Sequence, residues 1–107
     1  MEGLEATAFQ IISASGAAKS SYIEAIKRAE LGDIKEAKAL IQSGAEDFLE
    51  GHAAHSKLLE KSAQGEEVLS LLIVHAEDQM MAAESFRTVA ESFIRMYEKF
   101  SQQTSEK

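Results

Sequence analysis

Leu31-Gly32-Asp33-Ile34-Lys35-Glu36 breaks one long helical pattern and starts another. Gly32 suits the left-handed residue that closes a helix. Asp33 suits the N-cap of the next helix, with Glu36 three residues on completing a capping box. A second break follows at Ala63-Gln64-Gly65-Glu66. Between the breaks apolar residues recur at steps of three and four, the helical period. The first helix is expected over Gly3 to Glu30, with the stripe Leu4, Ala8, Ile11, Ile12, Ser15, Ala18, Tyr22, Ile26 and Ala29. The second is expected over Ile34 to Ser62, with Ile34, Ala37, Ile41, Ala45, Phe48, His52, His55 and Leu59. The third is expected from Glu66 to Phe100, and the polar stretch 101–107 is expected to be a frayed, flexible tail.

Two short breaks between long helices make neighbours antiparallel, so the fold class is all-α, an up-down-up three-helix bundle in one domain over residues 1–100. The absence of proline among the 107 residues agrees with unbroken helices. Gly16 sits inside the first helix and implies a local kink or close packing. Gly44 and Gly51 imply a locally weak middle for the second. Folding back about Gly65 puts His75 level with residues 53–55, so His52 and His55 come near it, as do residues 9–13 of the first helix.

The third helix carries too much apolar surface for a three-helix monomer. Val68, Leu69, Leu71, Leu72, Ile73, Val74, Ala76, Met80, Met81, Ala82, Ala83 and Phe86 leave its first half without a polar face. Two neighbouring helices cover one side only, so the other side implies a homo-oligomer. The seam is Leu71, Val74, His75, Asp78, Ala82, Ser85, Val89, Ser92, Phe93 and Met96, close to heptad spacing.

His75 and Asp78 interrupt that surface. A neutral imidazole can accept a phosphoryl group and pass it on, and the ordinary histidine pKa near 6.5 leaves it mostly neutral at cytoplasmic pH. Apolar flanks would keep water from a phosphohistidine. On the residues alone, a core histidine with satisfied hydrogen bonds is the favoured reading. Asp78 in an apolar seam needs pairing, protonation or a bound cation, and a hard oxygen ligand suits magnesium or calcium. Alternatively it points to solvent. His52, His55 and His75 together offer a possible zinc set. A further alternative is a non-catalytic adaptor held together by its third helix.

Composition narrows the class. The net charge of −7 argues against nucleic-acid binding and against docking on anionic lipid. With no cysteine there is neither a disulfide framework nor a thiol nucleophile. No signal peptide is evident at Met1-Glu2-Gly3-Leu4-Glu5, and no stretch has the length of a membrane span, so a cytoplasmic protein without direct membrane insertion is expected.

Over residues 5–100 the chain resembles the lactose/cellobiose-type enzyme IIA family of the bacterial phosphoenolpyruvate-dependent sugar phosphotransferase system. The resemblance rests on Ile11-Ile12-Ser13-Ala14-Ser15-Gly16-Ala17-Ala18, Gly32-Asp33, Glu50-Gly51-His52, Ala63-Gln64-Gly65-Glu66 and above all Leu72-Ile73-Val74-His75-Ala76-Glu77-Asp78-Gln79-Met80-Met81. The last run commonly reads His-Ala-Gln-Asp-His-Leu-Met in the family, and its first histidine accepts the phosphoryl group. The resemblance implies that His75 takes phosphate from HPr and gives it to a cysteine of enzyme IIB, during uptake of a β-linked disaccharide, with cellobiose or chitobiose ahead of lactose. It implies a homotrimer, with Asp78 and its symmetry mates around one divalent cation, magnesium, on the axis. Two positions depart from the pattern: Glu77 replaces the usual Gln, and Gln79 the usual His. Glu77 faces about 200° away from His75 on its helix, so any influence on a transferred phosphoryl group would have to reach a neighbouring subunit's site.

Overall fold

A computed structural model describes residues 3–105. It contains α1 (Gly3–Glu30), α2 (Ile34–Ala63) and α3 (Leu71–Ser105), in the expected up-down-up order. They form a rod of 62 × 22 × 19 Å. Along it, α1 packs extensively against both other helices, while α2 and α3 meet more sparingly.

Each break is built as the glycines required. Gly32 and Gly65 have φ of 87° and 89°, the left-handed region that favours glycine. After α1, the Gly32 and Asp33 amides donate to the carbonyls of Ala29 and Arg28. After α2, the Gly65 and Glu66 amides donate to those of Ser62 and Lys61. Both are Schellman closures, which satisfy carbonyls that the helix end would leave free. Asp33 then caps α2, its side chain accepting from the Glu36 amide at 3.1 Å.

The second connection is longer than the sequence suggested. Residues 66–70 are not helical, and α3 starts at Leu71. The Ser70 hydroxyl accepts from the Ile73 amide at 3.2 Å, which makes Ser70 the N-cap. Val68 still packs against the core, whereas Leu69 is exposed. At its other end α3 runs through to Ser105, five residues past the expected end at Phe100.

The core is built from small side chains. Ala8, Ala18 and Ala25 of α1, Ala37 of α2, and Ala76, Ala83 and Ala90 of α3 are all completely buried. The last three are seven residues apart, so they fall on one line facing inward. Gly44 and Gly51 belong to this arrangement and do not weaken α2, which is continuous. A Cβ at Gly44 would come within 2.5 Å of the Tyr22 ring, and one at Gly51 within 3.2 Å of the Ala14 Cβ. At both points α2 lies close against α1. Tyr22 is the largest fully buried side chain, and burial pushes its phenol above the ordinary tyrosine pKa. Arg87 works against that shift, and Glu91 and Asp47 add to it. Gly16 marks neither a kink nor a close contact: α1 is continuous, and nothing lies within 4 Å of where its Cβ would stand.

The two glycines should therefore respond oppositely to alanine. Gly16→Ala is expected to raise stability by up to about 1 kcal/mol, the helix-propensity difference. Gly44→Ala gains the same propensity but forces the enclosed Tyr22 ring to move, and overpacking costs about 1–3 kcal/mol. Urea unfolding should give a higher midpoint for the first variant and a lower one for the second. A higher midpoint for both would mean that the Tyr22 ring yields freely.

Candidate functional site

Ser70 fixes where α3 begins and so sets the level of the site. His75 is the fifth residue of the helix, within its second turn. The inward face here is Ile73, Ala76 and Met80, packed in one cluster with Ala8 and Ile11 of α1 and Ala54 and Leu58 of α2. The register expected from the turns is therefore present: α1 near residue 11 and α2 near residue 55 flank α3 near residue 75.

With that face turned inward, His75 points out. It is exposed, and no hydrogen bond or ion pair engages it among the described residues. It is not a core histidine. Nor is it enclosed by apolar neighbours, as its sequence surroundings suggested. Leu71 is 86% exposed and Val74 46% exposed, so a single chain does not shelter it. Asp78, one turn on, is also exposed and carries no ion pair among the described residues.

Both lie on a continuous outward surface. All ten residues of the expected seam, from Leu71 to Met96, are exposed. Phe93 and Met96 are among the large apolar side chains left outside the core, as is Phe100 beyond them. Apolar area of this extent along one helix is unusual in a monomer.

The other histidines do not join His75. His52 is exposed and stacks on Phe48, with ring centroids 6.5 Å apart. His55 is turned to α3, where its Nε2–H donates to the Glu77 carboxylate at 2.7 Å. Among the described residues no three His, Cys, Asp or Glu side chains converge on a metal position. The zinc set of His52, His55 and His75 is thus not assembled. Glu77 faces away from His75, as its offset on the helix requires, and is engaged within its own chain by His55. The signal for this pair was in the sequence. The turn register brought His55 to this level, and the 200° offset from outward His75 directs Glu77 inward.

A mixed groove lined by Lys38, Ile41, Gln42, Arg87, Glu91, Ile94 and Arg95 lies between α2 and α3. Arg87 is twelve residues beyond His75, about 18 Å along the helix, so the groove is no part of this site.

Residues 6–98 match the family described as PTS system, lactose/cellobiose specific IIA subunit. The chain is 38% identical to a lichenan-specific phosphotransferase enzyme IIA component of Bacillus subtilis, with 95% of this chain and 94% of the relative covered. Its fold superposes on the PTS cellobiose-specific enzyme IIA from Bacillus anthracis with a TM-score of 0.92 at 33% identity, covering 95% of this chain and 94% of the other. It superposes on the IIA(chitobiose) chain of the Escherichia coli IIA(chitobiose)–HPr complex with a TM-score of 0.82 at 32% identity, covering 94% and 99%.

Ser70 is the element of the site that stability measurements can test directly. Ser70→Ala removes the side-chain acceptor of the Ile73 amide and is expected to cost about 1 kcal/mol. Amide exchange should accelerate most at the start of α3, near Ile73. Unchanged exchange there would show that the cap does not hold the turn that carries His75.

Proposed function

Because the chain belongs to the lactose/cellobiose-specific IIA family of the bacterial sugar phosphotransferase system, we propose that His75 is the residue on which it carries phosphate. One observation carries the reading: an exposed imidazole with no partner among the described residues stands on a capped, well-packed helix, in the run that opens the family's most specific motif.

The chemistry is in-line phosphoryl transfer. An unprotonated ring nitrogen of His75 attacks the phosphorus carried by the phosphohistidine of HPr. A new N–P bond forms as the donor's N–P bond breaks, and the donor histidine leaves as imidazole. In the second step a cysteine thiolate of enzyme IIB attacks the same phosphorus and His75 leaves. No general base is needed, because the attacking nitrogen carries no proton. Catalysis is positioning and electrostatics. HPr as donor is supported by the similarity to a IIA protein solved in complex with it. The lichenan, cellobiose and chitobiose named for the similar proteins support a β-linked disaccharide as the transported sugar, with cellobiose or chitobiose ahead of lactose. Phosphotransfer between such partners belongs in the cytoplasm.

We further propose that the outward stripe of α3 assembles a homotrimer, and that the shelter His75 lacks in one chain comes from a neighbouring subunit. Asp78 lies on that stripe with no ion pair among the described residues. Its oxygens suit a hard divalent cation such as magnesium, held by one carboxylate from each subunit. Bound there, the cation would offset the mutual repulsion of the three carboxylates. It takes no part in transfer.

Incubation with phosphoenolpyruvate, enzyme I and HPr should add one acid-labile phosphate per chain, and His75→Ala should add none. Phosphate retained after that substitution would sink the assignment.

For assembly, Asp78→Leu should sediment as a trimer with or without chelator, since it replaces a charge that needs compensation by apolar bulk. Sedimentation as a monomer would mean that the cation itself holds the subunits together.

A further inference from the structure

Lys38–Glu98 and His55–Glu77 bridge the sparsely packed seam between α2 and α3. Lys38 Nζ donates to Glu98 Oε2 at 2.8 Å at one end, and His55 Nε2–H donates to Glu77 Oε2 at 2.7 Å near the other. The first is a surface pair, its side chains 59% and 34% exposed. The second differs in kind. The His55 side chain is only 14% exposed, and its acceptor is two residues from His75. Nothing in the carrier chemistry uses either group.

We infer that His55 is a positioning residue for phosphoryl transfer, acting through Glu77; this deepens the His75 reading and rests on it. A phosphoryl group arrives at His75 with about two negative charges. Helix geometry puts a Glu77 carboxylate on the far side of α3 at roughly 10 Å from the imidazole. Tied to His55, that carboxylate stays on the α2 side, with an N–H dipole against it. Released, a side chain with three rotatable bonds and 38% exposure can swing toward the phosphoryl site of its own chain or of a copy packed on the outward stripe. Moving the carboxylate from roughly 10 Å to roughly 5 Å from the dianion raises their repulsion enough to slow encounter about fourfold in a water-like dielectric before salt screening, and more where water is displaced.

The test measures the rate and end point of transfer from phospho-HPr for four proteins: wild type, His55→Ala, Glu77→Gln and the double variant. His55→Ala should still take one phosphate per chain, but roughly three- to tenfold more slowly. Glu77→Gln should match or exceed the wild-type rate, because the charge is gone. The double variant should recover to within about twofold of wild type. Recovery separates release of the carboxylate from mere loss of a helix-to-helix tie, which removing Glu77 cannot repair. If His55→Ala unfolds, His55→Gln, which keeps an N–H donor, serves in its place, with a wild-type rate expected alone. A wild-type rate for His55→Ala, a slow His55→Gln, or a double variant as slow as His55→Ala overturns the inference. Absence of phosphate on the wild-type chain would instead overturn the carrier reading itself.

Discussion

The close approach of α1 to both other helices constrains everything else in the molecule. Alanines fill the line of contact, and Gly44 and Gly51 open α2 where it lies close against Tyr22 and Ala14. Small side chains allow long continuous contact but remove little apolar area from water per residue. Among the described residues, Tyr22 and Ile11 are the only large side chains wholly inside. Much of the chain's apolar bulk therefore stands outside the bundle, and most of it is on α3. One choice of packing produces both a slender rod and a helix with two apolar faces.

That packing also orients the site. With Ala76, Ala83 and Ala90 committed inward, the residues one position before or two positions after them turn outward. His75 and Asp78 hold those places beside Ala76. Their exposure follows from the rotation of α3, and the rotation follows from the alanines. Cap and core cooperate here: Ser70 fixes the first turn along the helix, and the alanines fix its angle. On the proposed function, an imidazole that meets two different partners in succession gains from this arrangement. It stands on a stiff support, and nothing in its own chain has to be displaced before a partner reaches it.

What could be read from the sequence follows the same logic. Helical period and glycine breaks gave three helices, their order and their register, because each depends on local chemistry that survives folding. The start of α3 was misplaced because Val68 and Leu69 continue an apolar pattern across Ser70, and a serine cap without Glu or Gln at its third helical position gives a weak signal. Gly44 and Gly51 were mistaken for weak points because a glycine that admits a neighbouring ring looks, in one dimension, like one that loosens a helix. No shelter for His75 is formed within one chain, for a different reason. Sequence neighbours such as Leu72 and Val74 surround it in order but not in space, since successive helical residues point about 100° apart.

Glu77 shows how a charge can be close in sequence and remote in effect. Its position beside Asp78 and two residues from His75 concentrates acid where a negatively charged group is to be received. Helix rotation separates these groups: Asp78 stays on the outward stripe, while Glu77 turns to α2 and meets His55. An amide at position 77 would need no such partner, because it brings no charge. A carboxylate there is compatible with phosphoryl chemistry when something holds it, and the only side chain that hydrogen-bonds it among the described residues comes from α2. The departure at Glu77 and the inward turn of His55 are thus one feature, divided between two helices.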